Sequence, residues 1–237
     1  TARLWDAESG EPVVAPIQHS GKVRAASFSP DRRSFATGAR DGCVRIWGVS
    51  NGQPTTPILR QEGSVRFVCF SPDSRRLLAV GGDHLEAGEA RIWDVETGNT
   101  IGRPILLNSH VSHASFSPDG RWFVIASSDN TATIHDAENG RRLEPVLRHT
   151  FPVWLAQFSP DGKHLITAGR ERLWRLWNVE PILRMQRDFA PAIARYQTSF
   201  TPASWAVLTN LTAHWPEGAP QPLCISPDGR RYVVPVE

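Results

Sequence analysis

Residues 27–52 read SFSPDRRSFATGARDGCVRIWGVSNG, and the order of turn and apolar residues in this stretch decides the fold. Short apolar runs of strand length are separated by Ser-Pro-Asp, Asp-Gly and Asn-Gly. Each of these turn sequences fixes or permits the backbone angles of a tight reversal. The stretch therefore predicts consecutive antiparallel strands joined by short turns.

The same pattern recurs along the chain. Phe-Ser-Pro, or Phe-Thr-Pro in the last case, begins at Phe28, Phe70, Phe116, Phe158 and Phe200. A second motif, which closes a later strand, ends at Trp5, Trp47, Trp93, His135 and Trp177. Both series advance in steps of 42, 46, 42 and 42 residues, and the four extra residues are the insertion 84–87. Two motifs with one spacing indicate structural repeats.

Each repeat predicts four strands, A to D. The spacing of Val23, Ala26 and Phe28 is three and then two, which predicts a β-bulge near the start of strand A. Strand C carries apolar or amphipathic side chains on both faces, so both faces of the sheet should be covered. We therefore expect an all-β propeller of four-stranded antiparallel blades. Independent sandwiches, the alternative, would not explain turns that repeat in register.

The repeats predict about five to six blades, in a propeller that is incomplete or cut from a longer one. We assign strands C and D of a split blade to 1–19, full blades to 20–60, 61–107, 108–149 and 150–190, and degenerate repeats to 191–237. The segment 181–222 leaves two interpretations open. Either a reduced blade is followed by strands A and B of another, or 223–236 supplies strands C and D of a shortened blade. The strands at the two ends of the chain either pair as one split blade, or they mark an arbitrary cut from a longer sequence.

Composition narrows the possible functions. A formal net charge of +2 is too small to predict a general affinity for nucleic acid, and no apolar stretch has the roughly 18 residues that cross a bilayer. Cys43, Cys69 and Cys224 lack the CxxC spacing of metal sites. They predict buried thiols in a reducing, cytoplasmic compartment. No cofactor is expected.

The repeats resemble those of the WD-repeat family, whose units run from a His before strand A to a Trp-Asp that closes strand C. Trp5-Asp6 and Trp93-Asp94 match this ending, and the likeness covers residues 1 to about 179, with a weaker return afterwards. The resemblance implies a WD-type β-propeller that serves as a protein-interaction scaffold. The Arg- and Pro-rich repeats, such as TARLWDAESGEPV, also resemble those of bacterial WD arrays that follow serine/threonine kinase domains. A regulatory propeller attached to a catalytic domain is therefore an alternative function.

The resemblance also implies buried tetrads of His, Ser or Thr, Asp and Trp. The unit ending at Trp47 has His19, Thr37, Asp41 and Trp47, and the unit ending at Trp177 has His149, Thr167, Glu171 and Trp177. A buried indole N–H needs an acceptor, and a hydroxyl oxygen can accept from it. The same hydroxyl can donate to an imidazole ring, and the carboxylate would then fix the tautomer of that ring. The two units between them carry Gln61, Ala79, Asp83 and Trp93, or Leu107, Ile125, Asp129 and His135. We expect these two to depend on apolar packing.

Partners of the family dock on the top face, which the D–A and B–C loops form. The matching positions are Lys22, Arg24, Arg66, His110, Ser112 and Trp154 near the start of strand A, and Arg40, Ser128 and Arg170 in the B–C turns. Arg and Trp are enriched in binding hot spots. We expect an acidic or phosphorylated protein segment as partner, and the alternative is a solvated surface without a binding role.

Catalytic motifs are not found in the sequence. It has no phosphate-binding glycine loop, HExxH or GxSxG. His110 and His113 form an HxxH, but a three-residue offset on a strand points side chains to opposite faces, so no metal site is predicted. A propeller enzyme, the remaining alternative, would need carboxylates or histidines converging at the central channel. We therefore predict neither catalytic residues nor enzymatic activity.

Overall fold

The computed structural model describes residues 2–5, 11–82, 88–107, 109–170, 173–184 and 186, and the short strands at 224–225 and 232–233. Among the described residues, three sheets have four strands, one has three and one has two, and each sheet keeps the strand order of the sequence. All the strand pairs are antiparallel. The predicted all-β fold is confirmed.

Each strand position recurs from sheet to sheet. Strand A is β1 (Val23–Phe28), β5 (Val65–Phe70), β9 (Val111–Phe116) and β13 (Val153–Phe158). Strand B is β2 (Ser34–Ala39), β6 (Arg76–Gly81), β10 (Trp122–Ser127) and β14 (His164–Gly169). Strand C is β3 (Cys43–Gly48), β7 (Gly88–Asp94), β11 (Thr131–Asp136) and β15 (Trp174–Asn178). Strand D is β4 (Leu59–Arg60), β8 (Thr100–Leu107) and β12 (Leu147–Arg148). We call these sheets blades 1 to 4.

The predicted β-bulge is present at the start of every strand A. In blade 1, Val23 pairs with Ala39 and Ala25 pairs with Gly38, so Arg24 between them has no partner in strand B. The other blades show the same register shift. The bulged residues are Arg24, Arg66, Ser112 and Trp154. Because a bulge redirects a side chain, it sets the direction of these four at the top of the blades.

Neighbouring blades are joined by shared apolar layers. Between blades 2 and 3, for example, Leu78 and Ile92 pack with Val111 and Phe123. Equivalent layers join blade 1 to blade 2 and blade 3 to blade 4. The A strands of successive blades also contact one another, so the sheets converge at strand A and carry strand D at their outer edge. This is the stacking of a propeller.

The ends of the described chain follow the same scheme. Near the N-terminus, Ala2 pairs with Ile17 and Trp5 with Pro12, as Val44 pairs with Leu59 and Trp47 with Pro54 in strands C and D of blade 1. At the other end, β16 (Cys224–Ile225) and β17 (Tyr232–Val233) pair in the register of strands A and B, with Ile225 opposite Tyr232 as Phe28 lies opposite Phe35. This register favours strands A and B, rather than C and D, for 223–236.

Blade 4 is described over strands A, B and C, and residues 180–184, which follow strand C, are helical. This helix was not predicted from the sequence. The Asn178 side chain accepts a hydrogen bond from the Glu180 N–H (3.1 Å), and Pro181 lies in the first turn. Both features favour the start of a helix. Residues 189–190, which correspond to β4 and β12, lie outside the described residues, so the full blade over 150–190 stays a prediction.

Candidate functional site

The top face is the end of the blades where strand A begins and where strands B and C are joined. In blade 1 this end carries three exposed cations, Lys22, Arg24 and Arg40. The Arg40 N–H donates to the Lys22 carbonyl (2.9 Å), which holds the B–C turn against the start of strand A. The predicted cations of blade 1 are therefore brought together on one surface.

Blade 4 places aromatic side chains at the same end. Trp154 is 55% exposed, Phe151 is 48% exposed, and Arg170 lies beside them because its N–H donates to the Pro152 carbonyl (3.0 Å). Phe151 was not among the predicted residues. Its counterparts in the other blades are Gly21, Gly63 and Ser109, so alignment of the repeats would have shown a large apolar side chain where the others are small.

Blades 2 and 3 present less of their predicted residues to solvent. The half-buried Arg66 donates from Nε to the Gly82 carbonyl (3.0 Å). His110 Nδ1 is hydrogen-bonded to Ser128 Oγ (2.9 Å), and Ser112 is half-buried. These contacts fasten the B–C turn to strand A, so the structure gives Arg66, His110 and Ser128 a positioning role in addition to any contact with a partner.

Two carboxylates in the described part of the top face are engaged in hydrogen bonds. Glu89 is buried and bonded to Arg91 Nε (2.7 Å) and to the Glu62 N–H (2.8 Å). Asp41 accepts from the Cys43 N–H (3.2 Å). Although burial opposes it, this bond and others from backbone N–H groups hold the pKa of Asp41 below its usual range. The described top face of blades 1 and 4 is therefore cationic and aromatic.

The buried network predicted for blade 1 is largely formed. Thr37 Oγ1 accepts from the Trp47 indole (2.8 Å) and bonds His19 Nε2 (2.7 Å). Burial, with a smaller effect of the Arg45 charge, lowers the pKa of His19, so the ring is neutral at pH 7. A hydroxyl that accepts from the indole donates to Nε2, which puts the ring proton on Nδ1.

The predicted contact between Asp41 and His19 is not formed. His19 Nδ1 is buried without a hydrogen-bond partner in the described part of the chain, because the Asp41 carboxylate binds backbone N–H groups of its own turn instead. The short side chain at the Asp-Gly turn lies closest to these donors. The network is therefore a triad of His, Thr and Trp, and Asp41 stabilises the turn.

In the other repeats, the hydrogen-bond network depends on which residue occupies the position of Thr37. In blade 4, Thr167 Oγ1 joins His149 Nε2 and the Trp177 indole, each at 2.7 Å, while Glu171 lies outside the described residues. In blade 2, where Ala79 replaces the threonine, the Trp93 indole N–H and both amide atoms of Gln61 are buried and have no hydrogen-bond partner among the described residues. Asp83 lies outside the described residues.

Blade 3 replaces the network with packing. Ile125 takes the threonine position, and the His135 ring stacks on Phe123 at 5.2 Å between centroids. His135 Nε2 is bonded to Thr133 Oγ1 (2.9 Å) instead. Burial lowers the pKa of His135 to about 4. The imidazole is therefore a neutral core group.

The described residues contain no group of three or more His, Cys, Asp or Glu side chains placed to hold a metal ion. His113 Nδ1 is bonded to the Ala156 carbonyl (3.0 Å), so it and His110 have separate partners. Within the described ranges, no helix has the length and apolar character needed to span a bilayer.

Antiparallel blades that converge at strand A and share apolar layers define a β-propeller repeat protein. The profile of the family described as WD40, "WD domain, G-beta repeat", matches residues 10–48, 54–94, 103–136 and 142–178. These segments make up more than half of the chain, which therefore belongs to the WD40 family. WD40 domains typically bind proteins and are generally non-catalytic, so the family supports a protein-interaction role in general.

Known proteins of this kind are similar over part of their length. WD repeat-containing protein SL1-17 of Schistosoma mansoni is 32% identical over 147 residues, which cover 61% of this chain and 46% of that protein. Eukaryotic translation initiation factor 3 subunit I of Kluyveromyces lactis is 27% identical over 38% of this chain and 29% of its own length. The aligned chain spans less than half the length of these relatives.

Solved structures share the fold at low sequence identity. The computationally designed Ika4 protein superimposes with a TM-score of 0.62 at 20% identity, over 71% of this chain and 98% of that one. The computationally designed Ika8 protein gives 0.64 at 20% identity, over 74% and 52%. These similarities concern the fold alone.

Proposed function

We propose that this chain is a protein-interaction module whose top face binds an acidic or phosphorylated segment of a partner protein. The observation that carries the proposal is the clustering of exposed Lys22, Arg24 and Arg40 in blade 1, with Trp154 and Arg170 at the same end of blade 4. Guanidinium groups form paired hydrogen bonds with carboxylate or phosphate oxygens. An exposed indole supplies a large contact area at low cost in side-chain entropy.

The bulges support this proposal independently. Arg24 and Trp154 occupy the bulged position of strand A, where they are free of the sheet ladder on a rigid support. A binding group held by a sheet loses less conformational entropy on binding than one on a long loop. The buried thiol of Cys43 and the free thiol of Cys69 are consistent with a reducing, cytoplasmic compartment, which forms part of the proposal.

The charge of the top face can be tested with defined peptides. The probes are twelve-residue peptides bearing aspartate and glutamate, phosphoserine, or lysine at the same positions, with affinity followed by fluorescence anisotropy. We expect the first two classes to bind, and the triple variant Arg24→Glu/Arg40→Glu/Arg170→Glu to weaken binding about tenfold or more because each attraction becomes a repulsion. The matched variant Arg33→Glu/Arg121→Glu changes exposed cations on the A–B turns at the opposite end and should leave affinity within about twofold. Equal binding by the triple variant, or equal binding of the lysine peptides, would contradict the proposal.

The aromatic anchor requires its own variant. Trp154→Ala removes a side chain that is 55% exposed, so it should preserve folding while it lowers affinity for the acidic peptides by about 2 kcal/mol. Trp5→Ala, an equally exposed indole in the N-terminal pair of strands, is the control. Loss of binding in both variants, or in neither, would count against Trp154 as a contact residue.

A further inference from the structure

A groove runs along the outer side of blade 3. Its volume is about 1100 Å³, and it lies between β8 of blade 2 and the strands β11 and β12 of blade 3. Residues 103–107 form one wall, residues 144–146 and Arg148 form the other, and Thr131, Thr133 and His135 form the floor. The six residues of β11 give the groove a length of about 20 Å, which suits an extended peptide of five or six residues.

The groove exists because two side chains of blade 3 are smaller than the side chains at the same positions of blades 1 and 2. In blade 1 the positions of Thr133 and His135 are held by Arg45 and Trp47, whose guanidinium and ring lie 5.6 Å apart and fill the space toward the preceding strands. Blade 2 has an Arg-Trp pair at the same positions, 5.9 Å apart. The corresponding space in blade 1 is about 330 Å³. Replacement of Arg and Trp by Thr and His therefore opens the groove.

Packing holds the groove open at a fixed width. At its lower end the walls touch, since a Cβ atom at Gly140 would lie 3.1 Å from Ile105 Cγ1 and one at Gly102 would lie 3.3 Å from the Asn139 carbonyl oxygen. The His135 ring of the floor is fixed by Thr133 Oγ1 (2.9 Å) and the Gly140 carbonyl (3.2 Å). A preformed groove avoids the entropy cost of ordering on binding.

The lining combines an apolar wall with cations. Leu106 is 77% exposed, and the lining also contains two prolines, Pro104 and Pro145. Four arginines line the groove, namely Arg103, Arg141, Arg142 and Arg148. Of the two lining carboxylates, Glu144 binds Arg142 (2.8 Å), and Asp129 accepts from the N–H and hydroxyl of Thr131. The groove therefore has a positive surplus beside an exposed aliphatic side chain.

We propose that this lateral groove is a second binding site, which takes an extended acidic peptide with an aliphatic side chain. The aliphatic side chain packs on Leu106, and flanking carboxylates bind Arg103 and Arg141. The site is on the circumference of blade 3, and its lining contains none of the cations or aromatic residues on which the top-face proposal rests. It therefore stands or falls independently of the top-face proposal.

Peptide selection on a chain without a functional top face tests this proposal. Twelve-residue peptides displayed on phage are selected against the full chain carrying Arg24→Glu, Arg40→Glu and Arg170→Glu, and the consensus peptide is then measured against the unmodified chain. We expect a consensus with a Leu, Ile or Val flanked by Asp or Glu. We expect Leu106→Glu and the pair Arg103→Glu/Arg141→Glu each to weaken its binding at least tenfold.

Matched controls separate the groove from general surface effects. Ile58→Glu alters an aliphatic side chain of blade 1 that is 42% exposed, and Arg33→Glu/Arg121→Glu alters two exposed cations elsewhere. Both should leave affinity within twofold. Thr133→Arg/His135→Trp should abolish binding by refilling the groove. A consensus without acidic residues, or one whose affinity survives both groove variants, overturns the proposal whatever the top-face peptides show.

Discussion

A single hydroxyl group distinguishes blades 1 and 4, which have the His-Thr-Trp triad, from blade 2, which does not. Thr37 and Thr167 each join a tryptophan indole to a histidine ring, whereas Ala79 at the same register leaves the Trp93 indole without an acceptor in the part of the chain that the structure describes. A buried donor that loses its only acceptor costs more free energy than the bond itself contributes. The stability of each blade should therefore depend on this position.

Thr37→Ala should lower the free energy of unfolding by about 2 kcal/mol, because both the Trp47 indole and His19 Nε2 lose their partner in a buried site. Urea denaturation followed by tryptophan fluorescence measures the change. Ser27→Ala is the control, since its hydroxyl makes only a long contact of 3.4 Å with a carbonyl. A cost for Thr37→Ala no larger than that of the control would mean that the triad does not stabilise the blade.

The reverse change should stabilise blade 2. Ala79→Ser places a hydroxyl where Thr37 has one and gives the Trp93 indole an acceptor, which should raise the free energy of unfolding by about 1 kcal/mol. Ala36→Ser, on the opposite face of the equivalent strand, buries a hydroxyl in an apolar layer and should destabilise. If the two variants behave alike in urea denaturation, the unpartnered indole does not limit stability.

His135 should make stability depend on pH. Its pKa is about 4 in the folded chain and 6.5 ordinarily, so the unfolded chain takes up the proton first as the pH falls. The contribution of His135 to the free energy of unfolding is constant above pH 6.5. As the pH falls from 6.5 to 4, about 3 kcal/mol of this free energy is lost. Unfolding free energies measured across this range should fall less steeply for His135→Phe. A slope unaffected by this variant would show that the ring is not buried as a neutral group.

Individual residues were predictable where the repeats could be aligned. The positions of Thr37, Trp47 and the top-face cations follow from the resemblance to the WD-repeat family, with the spacing of the repeats fixing the register. The loss of the Asp41 contact did not, because it depends on competition between an imidazole and backbone N–H groups a few ångströms apart. Phe151 was visible in the sequence but not in any motif, since its importance lies in the small residues that replace it in other blades.

At the scale of elements, the Ser-Pro-Asp turn is the most regular connection. In blade 2, Ser71 Oγ donates to Asp73 and accepts from the Arg76 N–H (2.9 Å), and the other three blades repeat this geometry. Burial acts against it, but hydrogen bonds from Ser71 and Arg75 hold the pKa of Asp73 below its usual range. Each A–B turn is thus closed by a side chain as well as by the backbone.

Ser71→Ala should therefore cost about 1 to 2 kcal/mol, because Ser71 is buried and the Arg76 N–H loses its acceptor. Differential scanning calorimetry would show the lowered transition temperature. Ser74→Ala, in the same turn, serves as comparison: its half-buried hydroxyl accepts one exposed hydrogen bond, from the Asp31 N–H (3.1 Å), so the effect should be smaller. A smaller effect from Ser71→Ala than from Ser74→Ala would show that backbone bonds alone close the turn.

The described elements were predictable from periodicity, with two exceptions. The bulges and the A–B and B–C turns follow from the spacing of valine, phenylalanine, proline and glycine. The helix at 180–184 was not predicted, because Asn178 and Pro181 express a local preference that the repeat pattern does not show. The lateral groove was not predicted from the sequence, because it arises from the small size of Thr133 and His135 relative to the Arg and Trp at the same positions of blades 1 and 2.

At the scale of the whole molecule, each blade is incomplete without its neighbour. Leu78 is fully buried only because Phe123 and Ile125 of the next blade cover it, and the same holds for the other shared layers. Stability should accordingly spread across the interface between two blades, as in other stacked repeats. The top face and the groove are both consequences of this stacking, since each is built by side chains from more than one strand or blade.

The most direct test of this stacking is residue-resolved hydrogen exchange on the Leu78→Ala variant. The cavity should cost about 2 to 5 kcal/mol and, because the layer is shared, should speed exchange of the amides of β6 and β10 together while it affects β2 less. Faster exchange in β6 alone, with β10 unchanged, would contradict the account, because it would mean that the blades are stable separately.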